Sequence, residues 1–288
     1  MGVSREVGLR DLAERIRAIE ERHDAVPRHG FIDQPSTAHF PTGWPEIDAI
    51  LGGGLSAGGL HEWFGVEDAI GKDRTGPVRS SDPRWVPPLC ILSHLAWQAL
   101  DHHPSLPWTL WIGQRCHPYP RILIRDGGKD RGLLKRSLFI AAQDAASRLW
   151  AIDSALRSPA VGVIIADGTG FNRAATQRVQ ALARTQSKWV LATCPSQQQG
   201  ELSAAQTRWL IRSMPSATGK QTAGVHPRWN IKLLRCKGMR PTGAAHEWLL
   251  EWNRAEGTVG LSAQLADLAG SPEMQAHVAS TRRNKRTA

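Results

Sequence analysis

Tyrosine occurs once in the 288-residue chain, and cysteine and methionine only four times each. The cysteines, Cys90, Cys116, Cys194 and Cys236, are far apart and form no C-x-x-C pair. This spacing supports neither a zinc site nor a disulfide framework, and fits a reducing cytosol. No run approaches the roughly 18 apolar residues of a membrane span. Residues 1–17 alternate in charge and lack the apolar core of a secretory signal. Glu6 stands where a myristoylation motif wants a hydroxyl. No internal repeat is evident. A cytoplasmic protein without membrane contact is the expectation.

What is plentiful is tryptophan, twelve residues in all, most of them in apolar surroundings where core filling outweighs base stacking. Hydrophobic content of 41% allows one sizeable core, hence one domain with appendages. The net charge of +10 permits contact with nucleic acid or an acidic partner without demanding either.

The stretch from Thr42 to Asp73 organises the rest. It reads as a turn, a short helix around Asp48, a glycine-rich loop, a strand over Leu60–Phe64, and a second glycine loop reaching Lys72. A strand running into glycine and then Gly-Lys is how phosphate-binding loops are built, because freed backbone N–H groups converge on the anion. The pattern G-x-x-x-x-G-K-[ST] is broken, however. Gly65 and Gly71 enclose five residues rather than four, and Asp73 follows Lys72 where a hydroxyl should bind magnesium. A carboxylate about 4 Å from a phosphate charge costs roughly 4 kcal/mol at an effective dielectric of about 20, which offsets much of what Lys72 contributes. Pro77, Pro83, Pro87 and Pro88 then delay the helix that should carry the loop's dipole.

Elsewhere strands and helices alternate. Residues 5–23 read as an amphipathic helix with Leu9, Leu12, Ile16 and Ile19 on one stripe, packed on its own core or on a neighbouring protein. A polar linker follows, up to Pro41. Residues 89–100 are helical and end before His102-His103, a helix end with no third metal ligand at a useful spacing. Residues 108–112 form a buried strand, 121–125 a short strand, 126–135 a charged glycine turn and 137–141 a strand. A helix capped by Asp144 buries Leu149, Ile152, Ala155 and Leu156. Val161–Asp167 is a largely β-branched run closing on a carboxylate. Asp167 is either a magnesium-site acid of the Walker-B type or the cap of its own turn. A helix capped by Asn172 runs to Gln186 and carries Arg173, Arg178 and Arg184 on its outer face. Strands follow at 189–193, 206–214, 228–237 and 247–252, the last ones antiparallel. Residues 261–269 read as a short helix. The tail from Ser271 is polar and basic, with Arg282, Arg283, Lys285 and Arg286 solvated or touching phosphates.

The order Thr42, Gly43, Asp48, Leu51, Gly52 and Gly54-Leu55 resembles the motif that leads into the phosphate loop of the RecA family. With the degraded loop and the segments RLWAIDSALRS, AAQTRWLI, RWNIKLLRCKG and WLLEWN, the chain from about Pro41 to Asn253 is similar to the ImuA family, RecA-like accessory proteins of mutagenic DNA repair. The resemblance implies an α/β fold: a mostly parallel twisted sheet with helices on both faces, extended by C-terminal antiparallel strands. Residues 1–40 would be an N-terminal helix and linker, 41–253 the RecA-like core, and 254–288 a short helix and basic tail. It implies a vestigial nucleotide site at Gly65, Gly71, Lys72 and Asp167. Where RecA-like ATPases place a water-activating glutamate, this chain has Gly113-Gln114-Arg115; where RecA places a DNA-binding loop, it has SQQQGEL, without lysine or arginine. The expectation is a protein that is not an enzyme and has no cofactor. It would bridge an ImuB-like, Y-family-related protein and a DnaE-type polymerase in translesion synthesis. Its N-terminal helix and sheet edge would carry protein contacts, self-association through the helix included, and its basic surface would assist on DNA. A DNA-dependent ATPase of the RecA or KaiC kind and a SulA-like inhibitor of cell division are the alternatives.

Overall fold

The structure is a computed structural model that describes residues 39–67, 85–102, 108–125, 132–215, 226–238, 246–254 and 256–264. The predicted N-terminal helix with Leu9, Leu12, Ile16 and Ile19, and the basic tail with Arg282, Arg283, Lys285 and Arg286, lie outside the described residues.

In chain order the elements are β1 (His39–Phe40), α1 (Pro45–Leu51), β2 (Leu55–Ser56), β3 (Leu60–Phe64), β4 (Val66–Glu67), β5 (Trp85–Val86) and α2 (Leu89–His102). Then come β6 (Trp108–Ile112), a 3-10 turn (Pro120–Leu123), α3 (Gly132–Lys135), β7 (Ser137–Ile140), α4 (Ala145–Arg157), β8 (Val161–Asp167), α5 (Arg173–Gln186) and β9 (Trp189–Cys194). A second 3-10 turn (Ser196–Gly200) precedes β10 (Thr207–Met214), β11 (Arg228–Cys236), β12 (Glu247–Asn253) and β13 (Thr258–Gln264).

Nine strands form one sheet in the order β13-β12-β11-β10-β3-β9-β8-β6-β7. The six from β7 to β10 are mutually parallel. The remaining three are antiparallel to their neighbours. The expected α/β class is therefore the observed one. Parallel strands need crossover connections, and the helices that supply them cover both faces. One face packs against α2, with Trp63, Trp111, Ile165, Leu191, Trp209 and Trp248 inside. The other packs against α4 and α5, with Leu60, Phe64, Ile164, Val190 and Leu210. β3 and β8 are buried along their whole length, as a continuous apolar run between two helical layers requires.

Four readings are corrected. His39–Phe40, expected in the linker, are β1, paired with β2, and Phe40 is buried in the core. Residues 132–135, expected in a glycine turn, are the short helix α3. Residues 121–125 are not a strand: Pro120 at the first position fixes a helical φ and starts a 3-10 turn. Residues 261–269 do not begin a helix, because Thr258–Gln264 is β13, paired with β12 from Asn253↔Thr258 to Trp248↔Gln264. The sheet thus continues past residue 253, where the core was expected to end. Its apolar content, Val259 and Leu261 on one face, fits a strand at least as well as a helix. Both expected helix caps are present: Asp144 accepts from the Ser147 N–H at 2.8 Å and Asn172 from the Ala175 N–H at 2.9 Å. Tryptophan fills the core as expected, Trp150 on α4 excepted, which is 74% exposed.

The glycine-rich start is a clamp. Asp48 accepts from the Thr42 N–H and hydroxyl, both at 2.8 Å. Trp44 stacks on His94 at 4.8 Å and donates its indole N–H to the Val259 carbonyl. His94 in turn holds the Thr42 carbonyl at 2.9 Å, so α1, α2 and β13 meet at one point. Gly43 sits at φ +81°, in the left-handed region that a side chain rarely adopts, and a β-carbon there would also displace the Gln98 amide.

Candidate functional site

Ligands of open α/β sheets bind outside the carboxyl ends of the parallel strands. Here those ends are stitched together. Gly65, directly after β3, donates its N–H to the Cys194 carbonyl at 2.8 Å, and Gly168, directly after β8, donates to the Thr193 carbonyl at 2.8 Å. Of the four residues assigned to a nucleotide site, Gly65 and Asp167 are described; Gly71 and Lys72 lie outside the described residues.

Gly65 is followed by a small antiparallel pair, β4 with β5, rather than directly by a helix. A β-carbon on Gly65 would run into the Val86 carbonyl and come within 2.8 Å of the Trp85 ring. The glycine is thus demanded by the close approach of β5. Arg115, on the connection after β6, donates to the Trp85 carbonyl at 2.7 Å and lays its guanidinium over that indole at 5.0 Å. Helix α2 begins only at Leu89, after Pro87 and Pro88.

Asp167 ends β8 and is fully buried. Its Oδ1 accepts from the N–H of Thr169 at 2.9 Å, so the carboxylate caps its own turn, one of the two readings left open by the sequence. Behind it lies Arg148 of α4, 2% exposed. Arg148 donates from Nε to the Asp167 carbonyl (2.7 Å), from Nη1 to the Gln143 carbonyl (2.8 Å) and from Nη2 to the Thr169 carbonyl (2.5 Å). One planar guanidinium thereby joins the connections after β7 and β8. Gly113, at φ +110°, is required there: a β-carbon would sit 2.7 Å from Cβ of Asp167 and 3.1 Å from Cδ of Arg148.

The connector from β9 to β10, where the resemblance puts a DNA-binding loop, is tied to the sheet. Glu62 of β3 and Arg208 of β10 form an ion pair at 2.7 Å with side chains 6% and 11% exposed. Arg208 also donates to the carbonyls of Gln199 (2.9 Å) and Gln198 (3.2 Å), and Ser203 donates to the other Glu62 oxygen at 2.5 Å. Gln198 accepts from the Gly170 N–H at 3.1 Å, linking this connector to the turn after β8. Phe64, Phe171, Cys194, Leu202 and Glu201 complete a small recess beneath it.

The thiols at this edge are inert by environment. Burial pushes those of Cys116 and Cys194 well above the ordinary range, and the negative charge of Asp167 pushes both further. Among the described residues no group of three or more His, Cys, Asp and Glu is placed to hold a metal ion. No described helix is long and apolar enough to cross a membrane. The basic face expected on α5 is partly engaged, since Arg178 pairs with Asp153 at 3.0 Å, as does Arg157.

Arg148 and the Glu62–Arg208 pair escaped the sequence reading. Each left a trace. Arg148 falls at helical spacing with Ile152, Ala151 and Ala155, on the apolar face of α4. Glu62 stands with His61 in a strand, LHEWF, that is otherwise apolar. Its partner, 146 residues away, left none.

No protein-family model matches the sequence, and no curated protein sequence matches it. The fold does match solved structures. One, the crystal structure of the RadB recombinase, superposes with a TM-score of 0.50 at 14% sequence identity, over 77% of this chain and 98% of that one. An identity this low speaks for the fold alone, and the fold of the chain is the RecA-like α/β fold.

Proposed function

We propose that the chain is a non-catalytic accessory protein with a RecA-like scaffold, of the ImuA kind. It would act in DNA-damage-induced mutagenesis by joining an ImuB-like, Y-family-related protein to a DnaE-type error-prone polymerase. The observation that carries this reading is the state of the carboxyl edge beside β3. The space flanking Gly65 is taken by Trp85 and Val86, Arg115 fastens that segment, and the Asp167 carboxylate is engaged by its own turn. Of the groups expected to serve a nucleotide, the Gly65 N–H donates to the Cys194 carbonyl and the Asp167 carboxylate accepts from the Thr169 N–H. The misspaced glycines and Asp73 point the same way. The likeness to a recombinase supports a DNA-repair setting.

A protein of this kind works in the cytoplasm, at the nucleoid during repair, and needs no cofactor of its own. The test is reconstitution. Purified full-length chain should bind both an ImuB-like protein and a DnaE-type polymerase without ATP, and deleting its gene should abolish ultraviolet-induced mutation while sparing recombination. Failure to bind either protein, or wild-type mutation in the deletion strain, would refute the reading.

A further inference from the structure

Strand β7 closes one edge of the nine-stranded sheet, with β6 on one side and no described strand on the other. Its residues, Ser137–Ile140, include no charge, proline or glycine, although charges and prolines are the usual means of keeping an edge from pairing. Leu138 and Phe139 point to opposite faces, as neighbours in a strand do, and are 45% and 43% exposed. Phe139 continues the ring of Trp111 at 6.1 Å on one face, while Ile140 joins the α4 side of the core on the other. An apolar side chain left open on each face of one edge is what an added strand covers.

We propose that β7 pairs antiparallel with β7 of a second copy, across a two-fold axis perpendicular to the sheet at Phe139. Such an axis keeps each face of the sheet on its own side. Phe139 then meets Phe139 of the other copy on one face, and Leu138 meets Ile140 twice on the other, so every cross-strand pair in the centre is apolar. The flanks are complementary in charge. Exposed Lys135 and Arg136 precede the strand, and exposed Asp144 follows it. Antiparallel pairing brings the basic end of each strand to the acidic end of the other; parallel pairing would set like charges side by side. A two-fold contact of this kind also closes, leaving no further β7 edge for a third copy.

The test uses the full chain. Sedimentation equilibrium should give about twice the 31.6 kDa chain mass at micromolar concentration, and amide exchange at residues 137–140 should slow as concentration rises. L138K, at a half-exposed position, should stay folded by circular dichroism and raise the dimer dissociation constant by on the order of tenfold or more. F139K should do the same. L12D/I16D in the full chain should remain dimeric, which separates this contact from one made by the N-terminal segment. A monomeric wild type at about 50 µM, exchange at 137–140 independent of concentration, or folded L138K that dimerises like the parent would each overturn the proposal. So would loss of the dimer in L12D/I16D alone.

Discussion

The guanidinium of Arg148 donates to the main-chain carbonyl of Asp167 at 2.7 Å, and through its other nitrogens reaches Gln143 and Thr169. A buried cation spent on three carbonyls makes the carboxyl edge of β8 rigid from within. Arg148→Met would keep much of the apolar stem and leave those carbonyls without donors. A loss of about 3 kcal/mol is expected, the order of a few unsatisfied buried groups. It would appear as a lower urea midpoint. Arg148→Lys should rescue only part of it, since an ammonium cannot reproduce the planar fork. Unchanged midpoints for both variants would mean that the edge is held by something else.

The Glu62–Arg208 pair, on β3 and β10 beyond β9, fastens the edge in a similar way. Glu62→Gln leaves a buried arginine without its counter-charge, at a cost of about 3–5 kcal/mol. Replacing both partners by apolar residues should cost much less than the sum of the single changes. The connector at residues 196–206, fastened by Arg208 and Ser203, should gain proteolytic sensitivity in Glu62→Gln before the rest of the chain does. Cleavage there at the parental rate would argue against the fastening.

Two histidines give a pH dependence. Burial holds His61 and His94 at pKa values of about 4, outweighing their bonds to the Ser56 and Thr42 carbonyls. In the unfolded chain each binds its proton near pH 6.5. Between these values the unfolded state binds more protons, so stability falls as pH falls. The contribution is whole above pH 6.5, declines down to pH 4 and is gone below. Each histidine can account for about 3 kcal/mol over that interval. His61→Asn should flatten the curve of unfolding free energy against pH between 6.5 and 4. A variant curve parallel to that of the parent would contradict the assignment.

The order of strands and helices was largely legible because the parallel core writes itself as apolar runs, Val161–Asp167 above all, separated by capped helices. The caps at Asp144 and Asn172 were legible for the same local reason. The errors came where local pattern is weak. Pro120 turns a run that looks like a strand, and Thr258–Gln264, whose apolar pattern suits strand and helix alike, is a strand because β12 offers it an edge. Of the site, the turn at Asp167 was legible as one of two readings, whereas Gly71 and Lys72 lie outside the described residues. What fills the site was not legible. That Arg115 would lie on Trp85, and Arg148 behind Asp167, depends on contacts between distant parts of the chain.

The proposed function requires that the RecA-like fold works here without nucleotide chemistry. Equilibrium binding of labelled ATP with Mg²⁺ to the full chain tests it most directly. The account predicts no saturable binding below about 1 mM and no phosphate release, with or without DNA. Micromolar binding that is lost in Lys72→Ala and Asp167→Asn, accompanied by turnover, would contradict it.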